Sequence, residues 1–449
     1  MKNTGLLFLF LILSSCSSDD NLPLNGDTGG QTTFLGEVVW AKNYGGTGED
    51  TGQEVISTSD GGYVILGYSN SMDGDLVGKT TDVNDYWLIK LDADGNLQWS
   101  KTYGGSKDDR GQSVVQTSDN GFAIVGYAMS DDGDGSNNEG FHDNWILKLD
   151  VSGNIEWERS FGFSGHDHSY DVVQTADGGF FFVGFLDITA SQGAGGAAKG
   201  DLLTRHGVGE FWGTKLDAEG NLQWRRYFGG TNNDRAYGVT QTDDGGFVMT
   251  GSSESEDFDI SNGKGSYDYW AVKITGSGDL VWESSFGGAG IDKAYDVTKT
   301  NDNAYVLVGN TFSTDLDVSK NNGESDVWLV KIDDNGELLW EKTFGGTQFD
   351  AAQSVVQASD GGFLIAGNSK SADLDADTNA GENDFWIIKT DGQGELIWQH
   401  TYGGTAIEFG FDAIETTTGG IVFVGETASQ DFPNLENKGA TDLVVLKIE

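Results

Sequence analysis

Seven tryptophans recur through the chain at nearly constant spacing. Trp40, Trp99, Trp157, Trp224, Trp282, Trp340 and Trp398 are separated by 59, 58, 67, 58, 58 and 58 residues. Each heads the same short phrase, as in NLQWSKTYGG at 96–105: a Trp, three or four residues, an aromatic, then Gly-Gly or a near match. A period this long and regular belongs to a repeat architecture, in which each unit is one supersecondary motif that buries its apolar face against its neighbours. The 449 residues therefore count repeats rather than two or three ordinary domains.

The unit at 108–161 shows the parts. GQSVVQT (111–117) alternates, Ser118-Asp119-Asn120-Gly121 turns, and FAIVGY (122–127) is nearly all apolar. After a long polar loop come NWILKLD (144–150), the turn Val151-Ser152-Gly153 and NIEWERSF (154–161). Four short strands with two tight hairpins form one antiparallel meander, named A to D in chain order. With 68 Gly, 2 Pro and no collagen period, the composition suits an all-β chain full of turns. The other six tryptophans, Trp87, Trp145, Trp212, Trp270, Trp328 and Trp386, fall on strand C, and Leu443 takes that place in the last unit. One large aromatic per strand is what packs neighbouring sheets face to face.

The ends are complementary. The chain opens with a lone strand D, GEVVWAKNY (36–44), and finishes with FDAIETT, IVFVGE and DLVVLKIE, which are an A, a B and a C with no D. If the first strand completes the last sheet, a ring closes with no free edge at the seam. The predicted fold is all-β: a seven-bladed β-propeller of four-stranded antiparallel blades over residues 34–449.

Ahead of the repeats, residues 1–15 read as a signal peptide: Lys2 supplies a positive start, and the apolar run Leu6–Leu13 is too short to span a bilayer. Leu13-Ser14-Ser15-Cys16 resembles a bacterial lipoprotein box, which implies cleavage before Cys16 and lipidation of its thiol. Ser17-Ser18-Asp19-Asp20 resembles the acidic export tag of Bacteroidota surface lipoproteins. Residues 16–33 have little to bury and read as a flexible tether. The implied place is the outer membrane or cell surface, with the membrane reached through the lipid anchor only. Cys16 is the one cysteine, so an intrachain disulfide and a multi-cysteine zinc site are excluded.

The repeat also carries a family resemblance. Gly-Gly-x-x-x-Asp, a V-Q-T strand, Asp-Gly-Gly-Phe, V-x-G, Ser-x-Asp and Asp-x-W-x-x-K-x-D together resemble the bacterial seven-bladed β-propeller repeat called SBBP. GETASQDFP (425–433) carries the likeness most fully, and it covers about 35–449. It implies a fold and is nearly silent on activity. DADGNLQW (92–99) is similar to repeats of quinoprotein dehydrogenases. Those typically have eight blades and often an adjacent cysteine pair, whereas this chain has seven units and one cysteine.

The 71 acidic and 26 basic residues give a net charge of −45, which repels nucleic acid and anionic lipid and excludes both as partners. The B–C loops and the links from D to the next A share one face, and both are acidic. The links give Asp50, Asp109, Asp167, Asp234, Asp292, Asp350 and Glu408. The loops give pairs such as Asp73/Asp75 and Asp257/Asp259, and an acid opens each strand C, where it is expected to brace the loop against the blade. Two readings of the loops stay open. Asp315-x-Asp317-x-Ser319-x-Asn321 and Asp373-x-Asp375-x-Asp377-x-Asn379 space oxygens at alternate positions, as calcium loops do, though without the Gly and Glu of an EF-hand. The same side chains also suit turn capping.

The third unit departs from the pattern. Its B–C loop (187–209) is longer, lacks the Asp pair and carries Lys199, Arg205 and His206. It is a candidate binding loop, or a surface loop that has drifted. His166-Asp167-His168 offers two metal ligands or simply alternates outward. No nucleophile triad, HExxH motif or phosphate loop is visible. The expected function is a non-catalytic surface propeller, monomeric, that presents loops to an extracellular glycan or protein, with calcium the one cofactor expected. The alternatives are a hydrolase or lyase acting on extracellular polysaccharide, and a structural or adhesion component of the cell surface. Near-equal repeats weigh against catalysis, because a single active site should break the symmetry at several strand-A ends.

Overall fold

In the computed structural model of the protein the described residues are 34, 36–187 and 209–449. Cys16 and the loop residues Lys199, Arg205 and His206 lie outside them. Among the described residues, twenty-eight strands form seven four-stranded antiparallel sheets, six of them in the order A-B-C-D along the chain. The seven A strands are Asp50–Ser57, Asp109–Gln116, Asp167–Gln174, Asp234–Gln241, Asp292–Lys299, Asp350–Gln357 and Glu408–Glu415. Successive A strands contact one another around the ring, so A is innermost and D outermost. The protein is an all-β, seven-bladed propeller, as its periodicity predicts.

Strand A begins earlier than the alternation suggests: at Asp109 in the second blade, rather than at Gly111. The reason is a β-bulge. In every blade the A–B register shifts between the third and fifth residues of strand A, as between Gly111 and Ser113 or Ser169 and Asp171. One extra residue interrupts the period-two pattern and bends the strand.

The tryptophans do two different jobs. The six on strand C are at most 1 % exposed and fill the space between blades. Five of the six indole N–H groups donate to strand D of the same blade, as Trp145 to Glu158 (3.0 Å), Trp270 to Glu283 (3.0 Å) and Trp328 to Glu341 (2.9 Å), while that of Trp212 is buried without a partner among the described residues. Those on strand D are half-buried and lie over the C–D turn of the next blade. Trp40 covers Gly95, whose φ is +72°, and a Cβ there would sit 2.8 Å from the ring. Glycine is needed twice over, for the left-handed turn and for the close approach.

The seam reproduces this junction from the two chain ends. The N-terminal strand Val38–Tyr44 pairs antiparallel with the last strand, Asp442–Ile448, from Tyr44 opposite Leu443 to Val38 opposite Ile448. Glu37 and Glu449 exchange backbone hydrogen bonds of 2.9 and 3.0 Å, as a hairpin would. Gly36 (φ +70°) stands where the turn glycine stands elsewhere, beneath Trp398, and the Tyr402 hydroxyl donates to its carbonyl at 3.0 Å. The equivalent bond elsewhere is Tyr103 to the Gly153 carbonyl (2.7 Å). A 380 Å³ cavity opens between blades six and seven, bounded by Val38, Ala41, Tyr402, Phe432 and Leu446.

Deleting residues 34–46 should leave strand C of the last blade as a free edge and uncover Trp398. The expected result is aggregation or a loss of more than about 5 kcal/mol, beyond what ordinary single substitutions cost. A chemical or thermal melt matching the full chain would refute the seam.

Candidate functional site at the axial mouth

The acids of the D–A links are internal fasteners. Asp50 is fully buried; its Oδ2 accepts the Gly46 N–H at 2.7 Å and the Ser71 hydroxyl at 2.8 Å, and its Oδ1 accepts the Ser69 hydroxyl. Asp292 repeats the set with Gly288, Ser313 and Thr311, and Glu408 takes Gly404 and Thr427. A single carboxylate thus ties the link to strand A and to the B–C loop.

The acid opening strand C braces its loop, as the sequence suggests. Asp143 accepts the Glu139 N–H (2.8 Å), Asp326 the Asn322 N–H (2.8 Å) and Asp384 the Ala380 N–H (2.6 Å), each through Oδ2. The other oxygen, Oδ1, of Asp85, Asp143, Asp268, Asp326, Asp384 and Asp442 is buried without a hydrogen-bond partner. It faces the link acid of the next blade beneath a glycine: a Cβ at Gly104 would touch both Asp85 and Asp109, and one at Gly345 both Asp326 and Asp350. Buried side-by-side carboxyls favour protonation of one member. Burial is the main cause that raises Asp85, Asp143, Asp268 and Asp384 to about 6 and Asp326 to about 7. Neighbouring carboxylates add to it, Asp109 and Asp134 for Asp85, and Asp350 and Asp375 for Asp326.

The alternate-position series of blades five and six has the geometry of turn caps. Asp315 accepts the Ala289 N–H (2.8 Å), and Asp317 accepts the Gly287 N–H (3.2 Å) and pairs with Lys264. Asn321 donates to the Thr311 carbonyl at 3.0 Å, while Ser319 is exposed. Asp373 accepts the Thr347 N–H (2.8 Å), Asp375 the Gly345 N–H (3.4 Å) and Asp377 the Gln399 amide (2.8 Å), while Asn379 donates to the Ser369 carbonyl (2.9 Å). The structure gives these oxygens separate partners rather than one centre.

Symmetry breaks instead where the A strands begin. The residue after the link acid is Thr51, Arg110, His168, Arg235, Lys293, Ala351 and Phe409 in blades one to seven. Blades two to five therefore place a basic arc at the axial mouth of a chain whose net charge is −45. Two residues further on, at the bulge, blades three to five carry Tyr170, Tyr237 and Tyr295, with ring centroids 4.9 and 5.3 Å apart. Arg235 stacks on Phe185 (4.6 Å), and its buried Nε has no hydrogen-bond partner among the described residues. Arg110 lies over Tyr68 (4.9 Å) and pairs with Asp108 (2.9 Å). Burial, then the Arg235 charge, push the Lys293 ammonium down.

Deeper in, the channel is lined by carboxyl groups that burial raises above the ordinary carboxylate range. Glu54, Asp171, Asp296 and Asp412 follow the bulges of blades one, three, five and seven, and remain partly open to water along the axis. Each accepts a backbone N–H of the next blade: Val114, Val239 (2.7 Å), Val355 (2.8 Å) and Val55 (3.0 Å). Blades two, four and six hold Ser113, Gly238 and Ser354 there.

Three histidines meet at the rim of this arc. His142, just before strand C of blade two, faces His166 and His168, which flank Asp167. The sequence motif offers His166 and His168 as a pair, and His142 lies 24 residues ahead of His166. The signal was the repeat itself, because the residue before each strand-C acid faces the residue before the next link acid. The basic arc lies in the sequence too, at one fixed offset from the link acids. It also removes the argument against catalysis from equal strand-A ends, since these ends differ.

The fold and this mouth define a seven-bladed β-propeller with one chemically distinct side of its axis. No family model matches the chain. A segment is 26 % identical over 174 residues to the regulatory protein FlaEY of Caulobacter vibrioides, covering 35 % of this chain and 17 % of that protein. The chain thus matches about a sixth of that relative's length. Among solved structures it is similar to Sqt1 from Chaetomium thermophilum, at 10 % identity and a TM-score of 0.46 over 93 % of this chain and all of that one. It is similar also to BamB from Moraxella catarrhalis, at 12 % identity and a TM-score of 0.41 over 92 % of this chain and all of that one.

The paired carboxyls set a pH dependence. A carboxyl whose folded pKa lies above its unfolded value, 3.8 for Asp, stabilises most below that value and loses the contribution as pH rises through the folded one. The window for the strand-C acids runs from about pH 4 to about pH 7. Asp60 and Asp119 act the other way. Partial burial raises them, but hydrogen bonds from Thr58 and Lys90, and from Thr117 and Lys148, hold them at about 2, so their contribution is lost only in stronger acid. The melting temperature should therefore be several degrees higher at pH 5 than at pH 8. Asp326→Asn, which cannot ionise, should raise the pH 8 value and flatten the slope. A melting temperature that climbs steadily from pH 5 to pH 8 would exclude the shared protons.

Proposed function

We propose that the protein is a lipid-anchored binding propeller of the SBBP type at the outer surface of a bacterial cell, and that it recognises an anionic extracellular glycan at its axial mouth. The observation that carries this reading is the arc Arg110, His168, Arg235 and Lys293 beside Tyr170, Tyr237 and Tyr295. Tyrosine rings offer flat apolar faces to sugar rings, and the partly buried Arg110, Arg235 and Lys293 supply charge for carboxylate or sulfate groups, with His168 a neutral polar group between them. Because the rest of the surface is acidic, a polyanion is repelled everywhere except at the mouth.

Full-length protein on an array of uronic-acid, sulfated and neutral glycans should bind the charged classes, and more weakly as salt rises. Arg235→Ala combined with Tyr237→Ala should weaken binding by at least about tenfold, the equivalent of 1.4 kcal/mol, with unchanged melting. Equal binding of neutral glycans, or an unaffected double variant, would reject the reading; capture of a protein ligand alone would favour the protein alternative instead.

The anchor is tested separately. Cys16→Ser should move the protein from the membrane fraction to the soluble one, because lipidation is the attachment proposed. A variant that still needs detergent for release would show that something else holds it.

A further inference from the structure

We propose that His142, His166 and His168 bind a divalent transition-metal ion of the zinc class across the junction of blades two and three, a role beyond the glycan reading that shares His168 with the arc but rests on the geometry of the three rings alone. The three rings come from two blades, yet their nitrogens converge. His142 Nδ1 lies 2.9 Å from His166 Nδ1 and 3.1 Å from His168 Nε2, and one ligand atom from each falls within 4.8 Å of the other two. It is the one such grouping of His, Cys, Asp or Glu among the described residues.

Hydrogen bonding alone does not account for the arrangement. An imidazole nitrogen has one in-plane position, filled by a lone pair or by a proton. His142 Nδ1 is approached by two ring nitrogens and can satisfy only one. A cation at the centre satisfies all three lone pairs. Bonds of about 2.0–2.1 Å in tetrahedral geometry set nitrogens about 3.3 Å apart, a small ring rotation from the distances seen.

The surroundings orient the donors. His168 Nδ1 is 3.3 Å from the Tyr170 hydroxyl, an oxygen able to accept the Nδ1 proton when the Nε2 lone pair is given to a metal. The Tyr127 ring stacks on His168 at 3.8 Å and Phe141 on His166 at 5.1 Å, so the ring planes are set by packing. Burial, followed by the neighbouring rings, pushes His168 down to about 2; burial and then His166 lower His142. Burial thus disfavours the charged imidazolium in both rings. Arg110 and Arg235 also face His168, and Asp108 faces His142. The two guanidiniums favour water-derived hydroxide or another anion in the remaining coordination position.

The repeat argues that the trio is a specialisation. The same three positions hold Asn84, Asp108 and Arg110 one junction earlier, and Tyr267, Ile291 and Lys293 at the junction of blades four and five. They hold Ser325, Phe349 and Ala351 in the next, and Asn383, Ile407 and Phe409 in the one after. The chain has 5 histidines, and 3 of them occupy one such set. Imidazole donors select zinc, copper, nickel or cobalt over calcium and magnesium, which take oxygen.

The test uses chelator-treated full-length protein titrated with zinc chloride against a chromogenic competitor. One tight equivalent is expected, standing apart from weak binding by surface carboxylates and unaffected by millimolar calcium or magnesium. Cobalt should give the visible absorption of a tetrahedral nitrogen site. His166 is exposed, so His166→Ala should fold with an unchanged melt in chelator and lose the tight phase by about 100-fold. His168→Gln should lose it as well. The proposal fails if no tight equivalent appears, or if it persists unchanged in His166→Ala.

Discussion

A buried carboxylate at the first residue of every innermost strand is the interaction on which the rest of this propeller depends. Each collects a link N–H; Asp50, Asp234, Asp292 and Asp350 add two hydroxyls from the second strand and its loop, Glu408 adds one, and Asp109 and Asp167 take backbone N–H groups of the loop instead. Without that acceptor the Gly-Gly link would hold several buried donors with nothing to bond, each costing roughly 1–3 kcal/mol. The acid therefore fixes where strand A begins, how the chain steps between blades and where the B–C loop lies. All features of the functional face are positioned through it. The bulge four residues on is the second element of the device. It frees a backbone N–H, and a carboxylate of the preceding blade takes it in four places.

Ring closure imposes a further constraint. Inner acids alternate with small residues around the axis, Glu54, Ser113, Asp171, Gly238, Asp296, Ser354 and Asp412. Seven is odd, so the alternation must fail once, and Asp412 and Glu54 are neighbours at the seam. Burial is the main cause that raises Glu54, and the charges of Asp171 and Asp412 add to it. Stability and specificity are thus separated by position along a single strand. The first residue of strand A is acidic throughout, and the second and fourth are free to vary. The variable positions hold the arginines, the tyrosines and one histidine of the trio.

Much of this was legible in the chain. The tryptophan period counted the blades, the missing strand D at the end matched the extra one at the start, and the strand-C acids were read as braces. The turn-capping contacts of Asp315, Asp317, Asp373 and Asp375 are not legible in the sequence, because alternate acidic residues look the same there whether their oxygens converge or diverge. The start of strand A was obscured, since a bulge destroys the alternation by which strands are recognised. The basic arc was present in the sequence at fixed offsets but was masked by the stronger repeated signal around it.

What the sequence determined by itself is whatever depends on local order and on period: strand content, turn placement, blade number and the pairing of the two ends. These follow from the chain because each repeat is a local meander and closure needs only complementary termini. What only the tertiary structure decided is which side chains from different blades share a space. His142 meets His166 and His168 because strand C of one blade lies beside the start of strand A in the next. Asp326 is paired with Asp350 for the same reason. The residues of such a junction are 24 apart along the chain, and ring curvature, set by bulges and packed tryptophans, brings them together.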